Sequence, residues 1–365
     1  MTGDPGIGAG GPILITGGAG FIGSNLADRL AEAGRSVIVF DALTRPGVER
    51  NLGWLQERHG DRIHAVRADI RDRDALASAI RECDAAFHFA AQVAVTTSMV
   101  DPRDDFTVNL EGTLNLLEAL RESGRRVPVV FASTNKVYGD LADIPLAIEN
   151  DAYMPTDPAV RGRGVSEDRP LDFHTPYGCS KGAADQYVLD YARSFGLPTA
   201  VLRMSCIYGQ RQMGTEDQGW VAHFLIRALD GEPISIYGDG RQVRDILDVA
   251  DAVDAYLACW KRIEAVSGQA FNLGGGPQNA VSLRQLIAHI EQSIGRSVET
   301  RYADWRAGDQ RYYVSDPSRA QAALGLGAPV PWRTGVGRLA RWLEGERAAR
   351  AVAVQYADAR LEAAS

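Results

Sequence analysis

The chain has 365 residues, 45% of them hydrophobic, and a formal net charge of −8, which suffices for one large domain or two lobes around a sizeable core. The acidic balance gives no electrostatic footprint for nucleic acid or an anionic membrane surface, and no run reaches the roughly 18 apolar residues of a membrane span. The four cysteines, Cys83, Cys179, Cys206 and Cys259, show neither CxxC nor metal-ligand spacing, so reduced thiols, no metal and a cytoplasmic location are expected.

The N-terminal stretch MTGDPGIGAGG is Gly-rich without signal-peptide character and is expected to be a flexible tail over 1–11. Short apolar runs then alternate with amphipathic segments. PILIT is followed by a helix over Gly23–Glu32, SVIVF by a helix over Val48–Glu57, and IHAV by a helix over Arg73–Glu82. AAFHFA precedes a helix over Phe106–Glu122, and VPVVFA precedes one over Tyr177–Phe195 that leads into LPTAVLRM. Apolar strands separated by helices predict an α/β fold, a doubly wound parallel sheet whose ligands sit beyond the carboxyl ends of the strands.

After Met204 the rhythm changes. Gln210–Gly240 reads as polar and Gly-rich, Asp245–Ile263 as a helix, QAFNLGG as a further strand, and Leu283–Ile294 and Gly335–Leu343 as later helices. The expected division is a dinucleotide-binding domain over 12–205 plus about 242–275, and a smaller ligand-binding lobe over about 206–241 plus 276–346. Residues 347–365, Ala-rich, read as a C-terminal tail or helix.

TGGAGFIG, Thr16–Gly23, follows the first strand and opens the first helix. Gly17, Gly20 and Gly23 allow a tight turn, close approach of backbone to a pyrophosphate and close helix–sheet packing. The helix N-terminus adds free N–H donors for the phosphates. Asp41, about twenty residues on at the end of the second strand, suits two ribose hydroxyls and would repel a 2′-phosphate, so the expected cofactor is NAD. Asp69 either accepts from the adenine amine or caps the helix that begins near Arg73.

HTPYGCSK places Tyr177 and Lys181 four residues apart, on one helix face. A free phenol is a poor base at neutral pH. A neighbouring ammonium, together with a bound NAD, is expected to make Tyr177 usable. An exposed helix-surface pair is the alternative. Thr134, ending the fifth strand, offers a hydroxyl to the same substrate oxygen.

TGGAGFIG, FHFAAQ, STNKVYG and YGCSK resemble the extended short-chain dehydrogenase/reductases that act on nucleotide sugars, over nearly all of residues 12–345. The strings QVAVTTS, FASTNKVYG, PYGCSKGAADQYVLDYAR and RMSCIYGQRQMGTEDQGW are together similar to the CDP-paratose 2-epimerases within that group. The resemblance implies Thr134, Tyr177 and Lys181 as the catalytic set. It implies a cofactor lining of Gly17, Gly20, Phe21, Ile22, Gly23, Asp41, Asp69, Ile70, Ala90, Ala91, Gln92, Asn109, Ser133 and Met204, with Tyr177 and Lys181. Dehydratase relatives carry an acidic pair after the threonine and decarboxylase relatives a glutamate; here Asn135 and Lys136 stand there. A redox-neutral epimerisation through a transient ketone is therefore expected, at C2 of a CDP-linked 3,6-dideoxyhexose. CDP-glucose or a GDP-sugar as substrate, a 4-epimerase or reductase activity, and a non-catalytic NAD-binding regulator remain as alternatives. Homodimers or homotetramers pairing through Phe106–Glu122 and Tyr177–Phe195 are implied as well.

Ser205 to Trp220 begins where the sixth strand emerges beside the crevice, the place where such folds build a substrate pocket. Ser205 and Cys206 are expected to face nicotinamide and sugar. Gln210, Arg211, Glu216, Asp217, Gln218 and Trp220 would line the pocket as a loop, or else form a solvated loop with Trp220 packed for stability. Arg244 and Arg306 are expected to grip the diphosphate. Arg311 either joins them or pairs with a neighbouring aspartate. Thr96 and Thr97 touch the sugar or cap the helix that follows; Asn135 borders the sugar; His88 is read as structural.

Overall fold

The computed structural model describes residues 10–363, with side chains to 348. The expectation for the N-terminal tail falls almost wholly outside the described residues. In chain order the first half contains β1 (Ile13–Thr16), α1 (Phe21–Glu32), β2 (Val37–Asp41), α2 (Val48–His59), β3 (Ile63–Arg67), α3 (Arg73–Ile80), β4 (Ala85–His88), α4 (Val95–Val100), α5 (Pro102–Phe106), α6 (Gly112–Glu122) and β5 (Val129–Thr134). A 3₁₀ turn, Asn135–Tyr138, then leads to β6 (Leu146–Glu149), β7 (Ala152–Pro155), α7 (Pro158–Arg163), α8 (Thr175–Phe195) and β8 (Thr199–Met204). The remainder holds β9 (Cys206–Tyr208), α9 (Trp220–Asp230), β10 (Ile234–Tyr237), β11 (Val243–Asp248), α10 (Val249–Lys261), α11 (Ile263–Val266), β12 (Gln269–Leu273), β13 (Ala280–Ser282), α12 (Leu283–Ile294), β14 (Thr300–Ala303), β15 (Tyr312–Tyr313), α13 (Ser318–Leu324) and α14 (Trp332–Ala363).

Seven strands form one parallel sheet in the order β12-β8-β5-β4-β1-β2-β3. β1, β4 and β5 are buried along their whole length. Alternate residues feed two cores: Ile13, Ile15 and Val39 pack against α1, α2 and α10, while Leu14, Phe40 and Phe131 pack against α3, α6 and α8. The strand order reverses between β1 and β4, so a crevice opens at their carboxyl ends. Thr16 is in register with His88, and Thr134 with Met204, which brings the candidates Thr134 and Met204 to the same edge as the glycine turn.

A second body forms around a small sheet in which β11 pairs with β13, β15 and β9. Its core joins Phe224, Leu225, Ile234, Ile246, Leu286 and Trp332. The chain between β5 and α8 also packs this way, Val137, Tyr138 and Val165 against Tyr313.

Three expected elements differ. The helix expected over Phe106–Glu122 is broken by a π turn at Thr107–Glu111, which turns Asn109 inward as described below. The helix expected from Asp245 starts at Val249, because Asp248 accepts from Ala250 N at 2.9 Å and caps it, while Val243–Asp248 is a fully buried strand. Gln210–Gly240 is not all loop. Val221, Ala222, Phe224, Leu225 and Ala228 make the buried face of α9, a helical spacing that the flanking polar residues obscure, and Ile234–Tyr237 forms β10. No helix among the described residues is long and apolar enough to cross a membrane.

Candidate active site

The glycine turn is forced by close approach. Gly17 has φ of 67°, and a Cβ there would lie 2.7 Å from Ala90 N; one on Gly23 would lie 2.4 Å from Gly17 O. Helix α1 opens at Phe21 and Ile22 with Gly20 as its N-cap and no side-chain cap bond, so its first N–H groups are left for an anion. Asp41 accepts from Ala19 N at 3.0 Å and Leu43 N at 2.9 Å. Burial raises its pKa, and those N–H groups pull it back. The cradle fits a dinucleotide: open amide donors at one end, an anchored carboxylate at the other.

Asp69 does not cap the next helix. Asp72 does, accepting from Ala75 N, and Asp69 is bound by the Arg71 backbone and guanidinium, which hold its pKa below the usual carboxylate range. Ile70 is buried against Gly112. Ala90 N donates to Thr16 Oγ1 at 3.3 Å, and Ala91 follows at the partly buried strand end. The π turn aims Asn109 into a buried network: its Nδ2 donates to Gln92 O, Asp105 Oδ1 and Ser180 Oγ, and its Oδ1 accepts from Gln92 N at 2.8 Å. Ser180, beside Lys181, donates to Asp105 at 2.5 Å. The sequence reading missed Asp105 and Ser180, whose pairing is visible only across 75 residues.

Thr134 ends β5 and its hydroxyl accepts from Lys136 N at 3.2 Å, capping the 3₁₀ turn. Tyr177 sits in the first turn of α8, its N–H donating to Ser98 Oγ at 3.2 Å. Burial pushes the phenol up to about 12, and the Thr134 hydroxyl draws it back. Lys181 donates to Ala132 O at 2.7 Å and lies 4.1 Å from the centre of the Phe131 ring; burial lowers it to about 7. One of its donors thus goes to a carbonyl of β5, whereas the four-residue spacing alone points the amine at the phenol. Ser133 Oγ is turned away, donating to Asp185 at 2.7 Å, and Met204 Sδ accepts from Tyr256 OH at 3.3 Å. His88 is structural: its ring bridges the Thr16 and Thr113 hydroxyls, and burial drops its pKa to about 3.

The opposite wall is assembled from distant segments. Asn135 Nδ2 donates to Gln310 Oε1 at 3.0 Å, and Gln310 Nε2 donates to Gly139 O at 2.6 Å. Arg244 forms a 2.6 Å ion pair with Asp309. Arg306 stacks over Tyr237 at 3.7 Å, donates to Glu216 O at 3.0 Å and pairs with Asp217 at 3.3 Å. Arg311 lies 5.6 Å from both the Tyr153 and Trp305 rings and joins no aspartate pair among the described residues. Thr96 Oγ1 is buried without a partner, while Thr97 is exposed; both lie inside α4, whose N-cap is Ala94, so neither caps it.

Three expectations for the Ser205–Trp220 stretch need correction. The Ser205 hydroxyl is committed to Asp245 and its N–H donates to Leu273 O at 2.8 Å, so neither is left for a ligand. Arg211 lies over Trp54 at 3.8 Å and Trp342 at 5.5 Å, between α2 and α14, with Asn51 donating to its carbonyl; it holds a seam between the lobes. Trp220 belongs to α9, packed edge-on against Phe224 at 5.6 Å. Gln210 is exposed, its carbonyl accepting from Asn25, and Gln218 accepts from Arg45 across the crevice. Cys206 sits partly exposed, its thiol pKa raised by burial.

A Thr–Tyr–Lys set beside a dinucleotide cradle can move a hydroxyl proton during oxidation of an alcohol. Residues 13–274 match the family model described as the NAD dependent epimerase/dehydratase family. The chain is 41% identical over 337 residues to a CDP-paratose 2-epimerase from Salmonella typhi, covering 90% of this chain and 98% of that protein. It is 35% identical to a UDP-glucose 4-epimerase from Mycolicibacterium smegmatis over 89% of this chain and 96% of that one. A UDP-glucose 4-epimerase from Thermus thermophilus, solved in complex with NAD, superposes with a TM-score of 0.77 at 31% identity, covering 92% of this chain and 99% of that one.

Proposed function

The chain belongs to the NAD dependent epimerase/dehydratase family, and from that premise we propose that it is a nucleotide-sugar 2-epimerase converting CDP-paratose to CDP-tyvelose. One observation carries this reading: α8 brings Tyr177 to the Thr134 hydroxyl and Lys181 to the Ala132 carbonyl at the end of β5, while the two residues after Thr134 are Asn135 and Lys136. Expelling water from a sugar requires an acid and a base beyond the tyrosine; neither residue supplies a carboxyl. The likeness to the Salmonella typhi 2-epimerase over nearly the whole of both chains supports the choice of carbon and base.

The residues fit NAD. The first-turn N–H groups of α1 would hold the pyrophosphate, Asp41 the adenosine ribose, and Tyr177 and Lys181 the nicotinamide ribose. When bound, NAD supplies a hydride acceptor, the returning hydride and a positive charge. Tyr177 accepts the sugar hydroxyl proton and later gives it back, with Thr134 holding the same oxygen. The buried phenol ionises with difficulty, and the Thr134 hydroxyl draws its pKa back. Arg244 and Arg306 hold the diphosphate while the keto sugar presents its other face.

The test is incubation of the NAD-loaded protein with CDP-paratose, followed by the anomeric proton in NMR. Appearance of the tyvelose signal is expected. NAD-loaded protein that leaves CDP-paratose unchanged overturns the assignment, and the same assay with CDP-glucose, GDP-mannose and UDP-glucose distinguishes another base or a 4-epimerase.

A further inference from the structure

Lys136 takes no part in the scheme above, yet it bridges the turn after Thr134 to the segment that carries Gly308. Its N–H donates to Thr134 Oγ1, and its backbone carbonyl lies against Gly178, the residue after Tyr177. Its side chain leaves the catalytic turn and crosses to the far wall, where Nζ donates to Gly308 O at 3.0 Å. Gly308 has φ of 70° and packs onto Thr175, at the start of the Tyr177 helix. An ammonium has three donors; among the described residues only this one carbonyl receives one of them.

The charges around this amine do not balance. Arg244 lies beside it, and among the described residues Asp309 is the one carboxylate that faces both cations, already paired with Arg244 at 2.6 Å. Asp245, next along β11, is turned away to Ser205, Ser315 and Gly276 N. Cys206 faces the amine from β9, and burial keeps its thiol protonated. Two cations sharing one carboxylate, Arg244 buried and Lys136 half-buried, call for an anion. In CDP-paratose, which has no acid group on the sugar, only the phosphates carry charge; a hydroxyl or ketone would be served by a neutral donor.

We propose that Lys136 is a substrate-binding residue that, together with Arg244, receives the sugar-bearing phosphate of the nucleotide diphosphate. The inference rests on the nucleotide-sugar reading and adds to it a cation contributed from the catalytic turn itself. Burial and Arg244 lower the Lys136 pKa to about 8 in the ligand-free chain, Asp309 opposing them. A phosphate would raise it again. Binding therefore takes up a proton and weakens as pH rises above about 8.

The experiment is titration calorimetry of CDP, UDP and GDP into the NAD-loaded full chain at pH 7 and pH 9, in buffers of differing ionisation enthalpy. Whichever diphosphate binds the native protein is expected to lose roughly tenfold in affinity between the two pH values, with proton uptake at the higher one. Lys136→Met should weaken binding roughly 10- to 100-fold at pH 7 and abolish the pH dependence. Lys136→Arg should bind about equally at both, since guanidinium stays charged. Native-like affinity in Lys136→Met, or a pH dependence that survives in it, overturns the role of Lys136 and leaves the epimerase reading standing. Failure of all three diphosphates to bind the native protein overturns both.

Discussion

The two walls of the crevice are built by different means. The cofactor wall comes from strand ends: Gly17 follows β1, Asp41 closes β2 and accepts from the Ala19 and Leu43 N–H groups, and Ala90 lies just past β4 with its N–H on the Thr16 hydroxyl of the adjoining strand. The wall proposed for the substrate comes from Lys136, Arg244 and Arg306–Gln310, joined across more than sixty residues of sequence. A local wall tolerates change wherever the backbone is kept. A wall assembled at long range depends on each side chain that bridges it, and it is where members of one fold can diverge in substrate.

Perturbations can be ranked against that contrast. The largest effect is expected from Tyr177→Phe, which removes the proton acceptor: kcat should fall about 10³-fold or more, with NAD still bound. A fall of only a few-fold would mean that another group takes the proton. Next, Asp185→Ala strands Arg203, which it meets through two 2.9 Å bonds in a fully buried site behind Ser133. Losing one member of such a pair costs about 3–5 kcal/mol, measurable by urea unfolding, and a cost near zero would show that solvent reaches the pair.

A third perturbation is acid. His88 is buried neutral, with its pKa lowered to about 3, so the unfolded chain binds a proton that the folded chain refuses. Stability from this group is full above about pH 6.5 and is lost as pH falls below it, by about 2 kcal/mol at pH 5. His88→Gln should shrink the loss between pH 7 and pH 5 by about that amount; an unchanged loss would assign the acid sensitivity elsewhere. The smallest effect is expected from Arg211→Ala, which gives up its stacking on Trp54 and Trp342 for about 1 kcal/mol of stability with KM unmoved. A tenfold rise in KM at unchanged Tm would return Arg211 to the substrate wall.

The same contrast decided what could be read from sequence. The parallel sheet, the glycine turn with Asp41, and the Tyr177–Lys181 spacing are written in contiguous residues whose periodicity or spacing carries the information. Helix α9 was hidden because its apolar face is embedded between TEDQG and DGEP. Arg211 was misplaced because a polar residue after a core strand suggests a ligand, while its two indole partners lie in α2 and α14. The partners of Asn135 and Lys136, Gln310 and the Gly308 carbonyl, sit in a loop with no pattern of its own. Pairing across 170 residues leaves no local trace.

The central claim is that the chain oxidises and re-reduces one sugar carbon without releasing its hydrogen. CDP-paratose deuterated at C2, converted by the NAD-loaded protein in ordinary water, tests it directly. The account predicts CDP-tyvelose that still carries deuterium at C2; product in which that deuterium has been replaced by solvent hydrogen would contradict it.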